Sequence, residues 1–273
     1  FDQINLSIND ISTYQTDKYW IAEGSKGLRS IQRKGSNSFE ALNEPIILDG
    51  PYSNSAFDIV CKNDKLYMII GGKDLLNGKR FDKGGYILTY DYDKWSFIDP
   101  KEAQKKLNLP RNPRDYTSIA VTTDDSNDEI VYASSMGDGV IQYKNGTPVQ
   151  SYNEKNAFKE TAGGYGSGYC YIDGLAFDKN GNLWMTSSEV NHAVLVLDKA
   201  GAWHRLDIEQ LRGVYTINDI LITSTNDKWI YVPRNTPKLV MIPNSESLDE
   251  VSSYEFTTPV SYTHLRAHET TLH

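Results

Sequence analysis

The sequence predicts an all-β fold, a β-propeller of about five visible blades with four antiparallel strands each, and three observations carry that expectation. Five aromatic anchors, Trp20 (Y-W-I-A), Tyr67 (L-Y-M-I-I), Tyr132 (I-V-Y-A-S), Trp184 (L-W-M-T-S) and Trp229 (W-I-Y-V), recur 47, 65, 52 and 45 residues apart. Each follows an apolar residue of a preceding run, Ile11, Ile59, Ile119, Leu175 and Ile220, at offsets of 9, 8, 13, 9 and 9 residues. Between the two runs lie turns rich in Asn, Asp and Gly, which tolerate positive φ and suit hairpins. A period of roughly 40–50 residues with about four strands per unit is that of a propeller blade. Period-2 alternation with many β-branched and aromatic residues excludes helical solenoids.

The elements follow in order. The first unit, read over 4–48, runs through the Trp20 strand to a third strand at Gly27-Leu28-Arg29-Ser30-Ile31. The second, 52–108, turns at Lys62-Asn63-Asp64-Lys65, continues at Tyr86-Ile87-Leu88-Thr89-Tyr90 and closes with an outer strand at Trp95-Ser96-Phe97-Ile98. A helix follows, with Asp99 as its cap, Pro100 in its first turn, Glu102 three residues after the cap and Pro110 ending it. The third unit, 115–160, has Val140-Ile141-Gln142-Tyr143 as its third strand, and its acidic stretch 124–129 reads as an enlarged first hairpin that accounts for the offset of 13. The fourth, 170–212, turns at Lys179-Asn180-Gly181-Asn182 and ends with Trp203-His204-Arg205-Leu206 and a short helix within 207–213. The fifth, 214–258, turns at Thr225-Asn226-Asp227-Lys228 and continues at Lys238-Leu239-Val240-Met241-Ile242. Helices are confined to connections, and the units are expected to belong to a larger, seven-bladed ring cut at both ends.

Composition agrees. Of 273 residues 39% are hydrophobic, and Trp 5, Tyr 18 and Phe 8 supply an aromatic content foreign to disordered tails, collagen and coiled coils. Lys+Arg 28 against Asp+Glu 36 gives −8 with no basic run, which argues against nucleic acid as a partner. Two cysteines make neither a disulfide framework nor a zinc cage, and no apolar run approaches the ~20 residues of a membrane span. The chain opens at Phe1 with its first methionine at Met68 and with no leader pattern, so any signal peptide is expected to be absent or removed. Residues 260–270, V-S-Y-T-H-L-R-A-H-E-T, resemble one reading frame of a sequencing-library adapter, so 260–273 is expected to be a non-native tail on a 1–259 partial propeller. Three of the five histidines fall in that tail. The remaining two, His192 and His204, sit on different strands and are too few for a metal site, so no metal or other cofactor is expected.

The fourth unit is the most specific. Ile172-Asp173-Gly174-Leu175-Ala176-Phe177-Asp178-Lys179-Asn180-Gly181-Asn182-Leu183-Trp184-Met185-Thr186 resembles the two-component-regulator propeller repeat, with Asp178, Gly181, Leu183 and Trp184 at its defining positions and Thr186-Ser187 where Gly-Thr stands in that repeat. Together with Ser134-Ser135-Met136-Gly137-Asp138-Gly139-Val140 and Tyr143-Lys144-Asn145-Gly146, the chain is most similar to the PorZ-like propellers of the type IX secretion attachment complex. That resemblance implies an exported, non-catalytic protein of the cell surface, outer membrane or periplasm. It would bind an anionic glycan or lipopolysaccharide and work beside secretion and sortase proteins. The sensor ectodomains of hybrid two-component regulators use the same repeat to sense glycans and give the alternative; a propeller glycan lyase or hydrolase ranks last, because no paired carboxylates or His/Tyr/Arg set recurs at fixed spacing.

Candidate site residues come from loops at the channel mouth, where propellers place ligands. Loops leading into the first strands and those between second and third strands present Tyr52, Arg114, Tyr165, Tyr169, His192 and Arg234, with Lys73 and Asp138 in the second set. Tyrosine rings offer stacking area and guanidinium gives paired contacts to anionic oxygens. Asp10, Asp58, Asp173 and Asp219, with Ser118 in the third unit, recur near the start of the innermost strands and would ring the pore, either holding a cation or hydroxylated ligand or bonding local backbone N–H groups. Gly163-Gly164-Tyr165-Gly166-Ser167-Gly168 is neither a P-loop nor a nucleophile elbow, since no Gly-Lys-Ser/Thr follows and Tyr165 stands where the elbow needs Gly.

Overall fold

The computed structural model describes residues 10–22, 28–36, 38–44, 46, 50–53, 55–74, 77–158, 168–234, 236–249 and 251–257, without the side chains of Asp10 and Tyr14. Tyr165 and the 260–273 tail lie outside the described residues. The chain divides into two units, 1–51 and 52–273.

The first unit is one antiparallel sheet in the order β1 (Asp10–Gln15), β2 (Lys18–Ala22), β3 (Leu28–Arg33), β4 (Phe39–Ala41). Asp17 takes a φ of 55° in the tight β1–β2 turn, and Ile21 and Ile31 form its buried centre.

The second unit holds four blades. The first consists of β5 (Ala56–Lys62), β6 (Lys65–Ile70), β7 (Ile87–Tyr90) and β8 (Trp95–Ile98), followed by α1 (Pro100–Leu107). The helix begins where Asp99 accepts the Lys101 N–H at 2.9 Å and ends at Asn108 in the left-handed region, φ 52°. The next blade is β9 (Tyr116–Thr123), β10 (Glu129–Gly137), β11 (Gly139–Lys144) and β12 (Thr147–Tyr152); the third is β13 (Cys170–Phe177), β14 (Leu183–Ser187), β15 (Val194–Leu197) and β16 (Trp203–Leu206). Pairing of Met136 with Tyr171 and Gly137 with Cys170 joins these two into one eight-stranded sheet. The last is β17 (Ile220–Ile222), β18 (Lys228–Val232), β19 (Lys238–Ile242) and β20 (Tyr254–Thr257). Helical structure within 207–213 is a single 3-10 turn, Glu209–Leu211.

Three apolar cores lie between successive blades. Tyr67, Ile69 and Ile87 pack with Ile119, Val121 and Ile141; Ile130, Tyr132 and Val140 with Leu175, Leu183 and Met185; Trp184, Val194 and Val196 with Ile220, Ile230 and Val240. Each such side chain removed from water contributes roughly 1.5–3 kcal/mol, so apolar packing between blade faces holds them together, alongside the short β10–β13 edge pairing.

The hairpin reading of the β9–β10 blade needs correction. The turn Asp124 to Asp128 is no larger than the turn Asp178 to Asn182. In both, the first residue donates its N–H to the fifth residue's carbonyl, at 3.0 and 2.9 Å. In both, the first Asp side chain accepts the third and fifth N–H groups, at 2.9 Å throughout. Counted from these turns, Ile130 pairs with Thr122 as Trp184 pairs with Ala176. Ile130 therefore holds the anchor position, nine residues after Val121, and Tyr132 sits two residues farther along a nine-residue strand. The long offset arises from longer strands.

Candidate functional site

The loop end of the second unit is built around the innermost strands β5, β9, β13 and β17. Asp58 accepts the Ile59 N–H at 2.7 Å and, with its other oxygen, the Ile119 N–H at 3.0 Å and the Ser118 hydroxyl at 3.1 Å. Ser118 Oγ in turn accepts the Leu175 N–H at 3.2 Å, and Thr117 donates to the Ile172 carbonyl at 2.6 Å. Gly174 permits the next approach, because a Cβ there would lie 2.7 Å from the Ile220 nitrogen. Asp219 accepts the Ile220 N–H at 2.8 Å. The three described acidic positions of the predicted ring, Asp58, Asp173 and Asp219, thus come together, and the chain's own donors engage both oxygens of Asp58 and Asp173 and one of Asp219. Although Asp219 keeps an exposed edge, the protein crowded around it pushes its carboxyl up to about 6, with Asp58 and Asp173 adding to the rise. Of Asp10 the backbone alone is described, pairing with Ala22 in the first unit.

One loop dominates this end. Residues 71–86, between β6 and β7, reach every other blade of the unit. The Lys73 ammonium, 1% exposed, pairs with the fully buried Asp173 carboxylate, donates to the Ile217 carbonyl at 2.9 Å and lies 5.1 Å from the centre of the Tyr171 ring. Ser188 donates its hydroxyl to the other Asp173 oxygen and accepts the Ile217 N–H at 2.8 Å. Burial pushes the Asp173 carboxyl up to about 6, while the Lys73 ammonium and Ser188 pull it back down. Farther along, Gly78 takes a φ of 71°, and a Cβ on it would stand 3.2 Å from both Arg234 Nη1 and Thr216 Oγ1. Asp82 and Lys83 donate backbone N–H groups to the buried Asp115 carboxylate at 3.1 and 2.9 Å.

A cluster of arginines and tyrosines lies over this base. Arg111 Nε bonds Asp138 at 2.8 Å, and the same carboxylate accepts the Arg114 N–H at 3.1 Å. The Arg114 guanidinium, 49% exposed, stands 3.7 Å from Asp82, which also pairs with Arg80 at 2.8 Å. Arg80 is hydrogen-bonded to Tyr169; burial pushes the Tyr169 phenol up and Arg80 draws it back. Tyr169 meets Tyr171 edge to face at 6.3 Å, and the Arg234 guanidinium lies 5.1 Å from the centre of the Tyr215 ring. Arg234 Nη1, Thr216 Oγ1 and Glu189 Oε1 are buried atoms with no hydrogen-bond partner.

PorZ, an essential bacterial surface component of the type IX secretion system of Porphyromonas gingivalis, superposes on 92% of this chain with a TM-score of 0.66 and 19% sequence identity. The fold is a β-propeller. The chain spans 33% of PorZ's length. The extracellular domain of a hybrid two-component system from B. thetaiotaomicron matches 93% of this chain and 28% of its own, at 17% identity and a TM-score of 0.47. An ancestral GH74 enzyme matches 93% of this chain and 33% of its own, at 14% identity and 0.48. No family model and no curated protein matches this sequence.

Within the propeller, the predicted site residues separate into groups. Arg114, Tyr169 and Arg234 belong to the cluster at the loop end. Tyr52 instead stacks on Phe97 of β8 at 4.8 Å and on Tyr86 at 4.7 Å, at the outer strand of its blade. His192 lies near Asp207, whose carboxyl is held low chiefly by its Arg212 pair. Sequence reading missed Arg80, Tyr171 and Thr216, and missed that Lys73 is buried. The available signal was length: 16 residues separate β6 from β7, against one, six and five in the equivalent loops. Both cysteines are free thiols, and burial pushes Cys170 up to about 12. No group of three or more His, Cys, Asp or Glu suited to a metal ion occurs among the described residues, and no described helix is long and apolar enough to cross a membrane.

Proposed function

We propose that this chain is part of a non-catalytic propeller of the cell envelope, PorZ-like, whose loop end binds an anionic glycan such as lipopolysaccharide. The observation that carries the reading is the convergence of Tyr169 and Tyr215 with Arg80, Arg111, Arg114 and Arg234 at one end of four blades. Aromatic faces suit the apolar side of sugar rings, and guanidinium edges suit carboxylate or phosphate oxygens. Arg111 and Arg114 keep 46% and 49% of their side chains exposed while paired, so each retains donors for a ligand. The fold shared with PorZ supports export and a place beside secretion and sortase proteins. A glycan-sensing role follows as the second reading from the Asp178–Trp184 repeat, with the same face as its receptor site.

The test is calorimetric titration of purified anionic lipopolysaccharide into the wild-type chain and into Arg114→Ala and Tyr169→Ala variants across a salt series. A hydrogen bond to a charged group contributes roughly 1.5–3 kcal/mol, so each variant is expected to lose about tenfold or more in affinity. Binding that both variants leave unchanged would remove the loop end from the reading.

A further inference from the structure

The anchor positions set what lines the clefts between blades, and the cleft of about 480 Å³ between the β5–β8 and β9–β12 blades is lined in part by Lys65 and Glu129. Between the β5–β8 and β9–β12 blades, the Tyr67 hydroxyl donates to Glu129, the residue that opens β10, at 2.5 Å, and Lys65 pairs with the same carboxylate at 2.8 Å. Between the β13–β16 and β17–β20 blades, the Lys228 ammonium, at the same opening position of β18, lies 4.5 Å from the centre of the Trp184 ring. Between the β9–β12 and β13–β16 blades the equivalent pair is Ile130 and Leu183, two aliphatic side chains without a ring or a long polar arm. A cleft of about 580 Å³ opens there, within the ~300–1,000 Å³ range of small-molecule sites.

We propose that this cleft is a second binding site and that it takes a neutral sugar, one or two hexose rings in length. Its apolar wall is Ile130, Tyr132, Phe177, Leu183 and Leu197, with Tyr132 and Phe177 meeting edge to face at 5.9 Å. A sugar ring presents C–H groups to such a wall and hydroxyls to everything else. Gln142 supplies a neutral polar group: its carbonyl oxygen accepts the Tyr152 hydroxyl at 2.9 Å, which leaves the amide N–H groups for a ligand. Charge in the lining cancels, with Asp124, Asp125 and Asp198 against Lys144, Lys179 and Lys199. Much of that charge is already committed, Lys144 to Asp124 at 2.8 Å and Asp198 to His204 at 3.1 Å. An anionic ligand therefore gains no field here, unlike at the loop end. An extended peptide is disfavoured for another reason: β10, β11, β14 and β15 are each paired on both sides, so no strand edge is open for it to extend.

The decisive variant is Ile130→Trp, which restores an aromatic anchor where Trp184 stands one blade later and fills the cleft. Maltose, cellobiose and N,N′-diacetylchitobiose would be titrated into the whole chain at millimolar concentrations, read by saturation-transfer NMR and calorimetry. At least one is expected to bind with an affinity insensitive to salt, and Ile130→Trp is expected to weaken it by at least about tenfold. If Ile130→Trp fails to fold by circular dichroism, Gln142→Ala provides the reading, with a loss of several-fold expected. No binding by any of the three sugars, or binding that the folded variant leaves intact, overturns the proposal. Binding lost on Arg114→Ala instead would assign the sugar to the loop end, a failure distinct from that of the lipopolysaccharide reading.

Discussion

Two lysines, Lys73 and Lys228, are each 2% exposed, and the protein accommodates them in opposite ways. Lys73 comes from a long loop and meets a carboxylate a hundred residues away, with a backbone carbonyl and a tyrosine face completing its surroundings. Lys228 comes from a strand and lies on the indole of the neighbouring blade, with Asp178 and Asp227 near but burial lowering its proton affinity overall. One lysine compensates an opposite buried charge and cannot be removed alone. The other is a long aliphatic stem with a charged tip placed over a ring. The same burial thus conceals two different dependencies, and one substitution made at both sites separates them.

Lys73→Met carries the largest expected effect. It strands the Asp173 carboxylate in the interior, and breaking a buried pair from one side costs about 3–5 kcal/mol. Urea unfolding followed by tryptophan fluorescence should show the loss, and Lys73→Met combined with Asp173→Leu should recover a large part of it. A single variant as stable as the wild type would show that the pair holds nothing together.

Asp178→Ala should rank second. Asp178 accepts the Asn180 and Asn182 N–H groups, the Asn182 amide and the Trp184 indole N–H, all at 2.9 Å. Its loss leaves the indole N–H buried and unpaired, at about 2–3 kcal/mol. Asp124→Ala removes the same turn bonds in a blade with no indole to orphan, so the same denaturation assay should find it the milder change. Equal losses would locate the whole effect in the turn. Lys228→Met comes next: a thioether keeps the packing on Trp184 and removes a buried charge, so stability should move by no more than about 1 kcal/mol.

These contrasts also mark what could be read along the chain. The Asp178–Trp184 segment was legible because its bonds span four to six residues, so turn chemistry and anchor sit in one window. The outer strands at Trp95 and Trp203 and the helix capped by Asp99 were legible for the same local reason. The Lys73–Asp173 pair spans a hundred residues, and nothing beside Lys73 sets it apart from an exposed loop lysine. Tyr132 misled because an aromatic two residues beyond Ile130 has the same strand parity and hence the same facing direction; the ladder, not composition, identifies the anchor. The site divided likewise: Arg114 and Tyr169 announced themselves as loop residues, whereas the orphaned Thr216 hydroxyl follows from packing that no spacing encodes.

The smallest expected effect concerns His204, which joins the outer edges of the last two blades. Its ring nitrogens meet Asp249 at 2.9 Å and Asp198 at 3.1 Å, and these two hydrogen bonds, Asp249 first, raise the affinity of the imidazole for its proton above the ordinary value near 6.5. A raised folded-state value means that the clasp contributes fully below the unfolded value of about 6.5. The contribution then fades as pH rises through the higher folded-state value. Asp198, held low chiefly by the same histidine, sets the opposite boundary, since its share is lost as pH falls through its depressed value. Asp249 is 81% exposed, so screening keeps the effect to the order of a degree in the unfolding midpoint. The midpoint of the wild type relative to His204→Gln should therefore decline between pH 6 and pH 8, while a difference constant across that range would make the histidine a packing residue rather than a charged clasp.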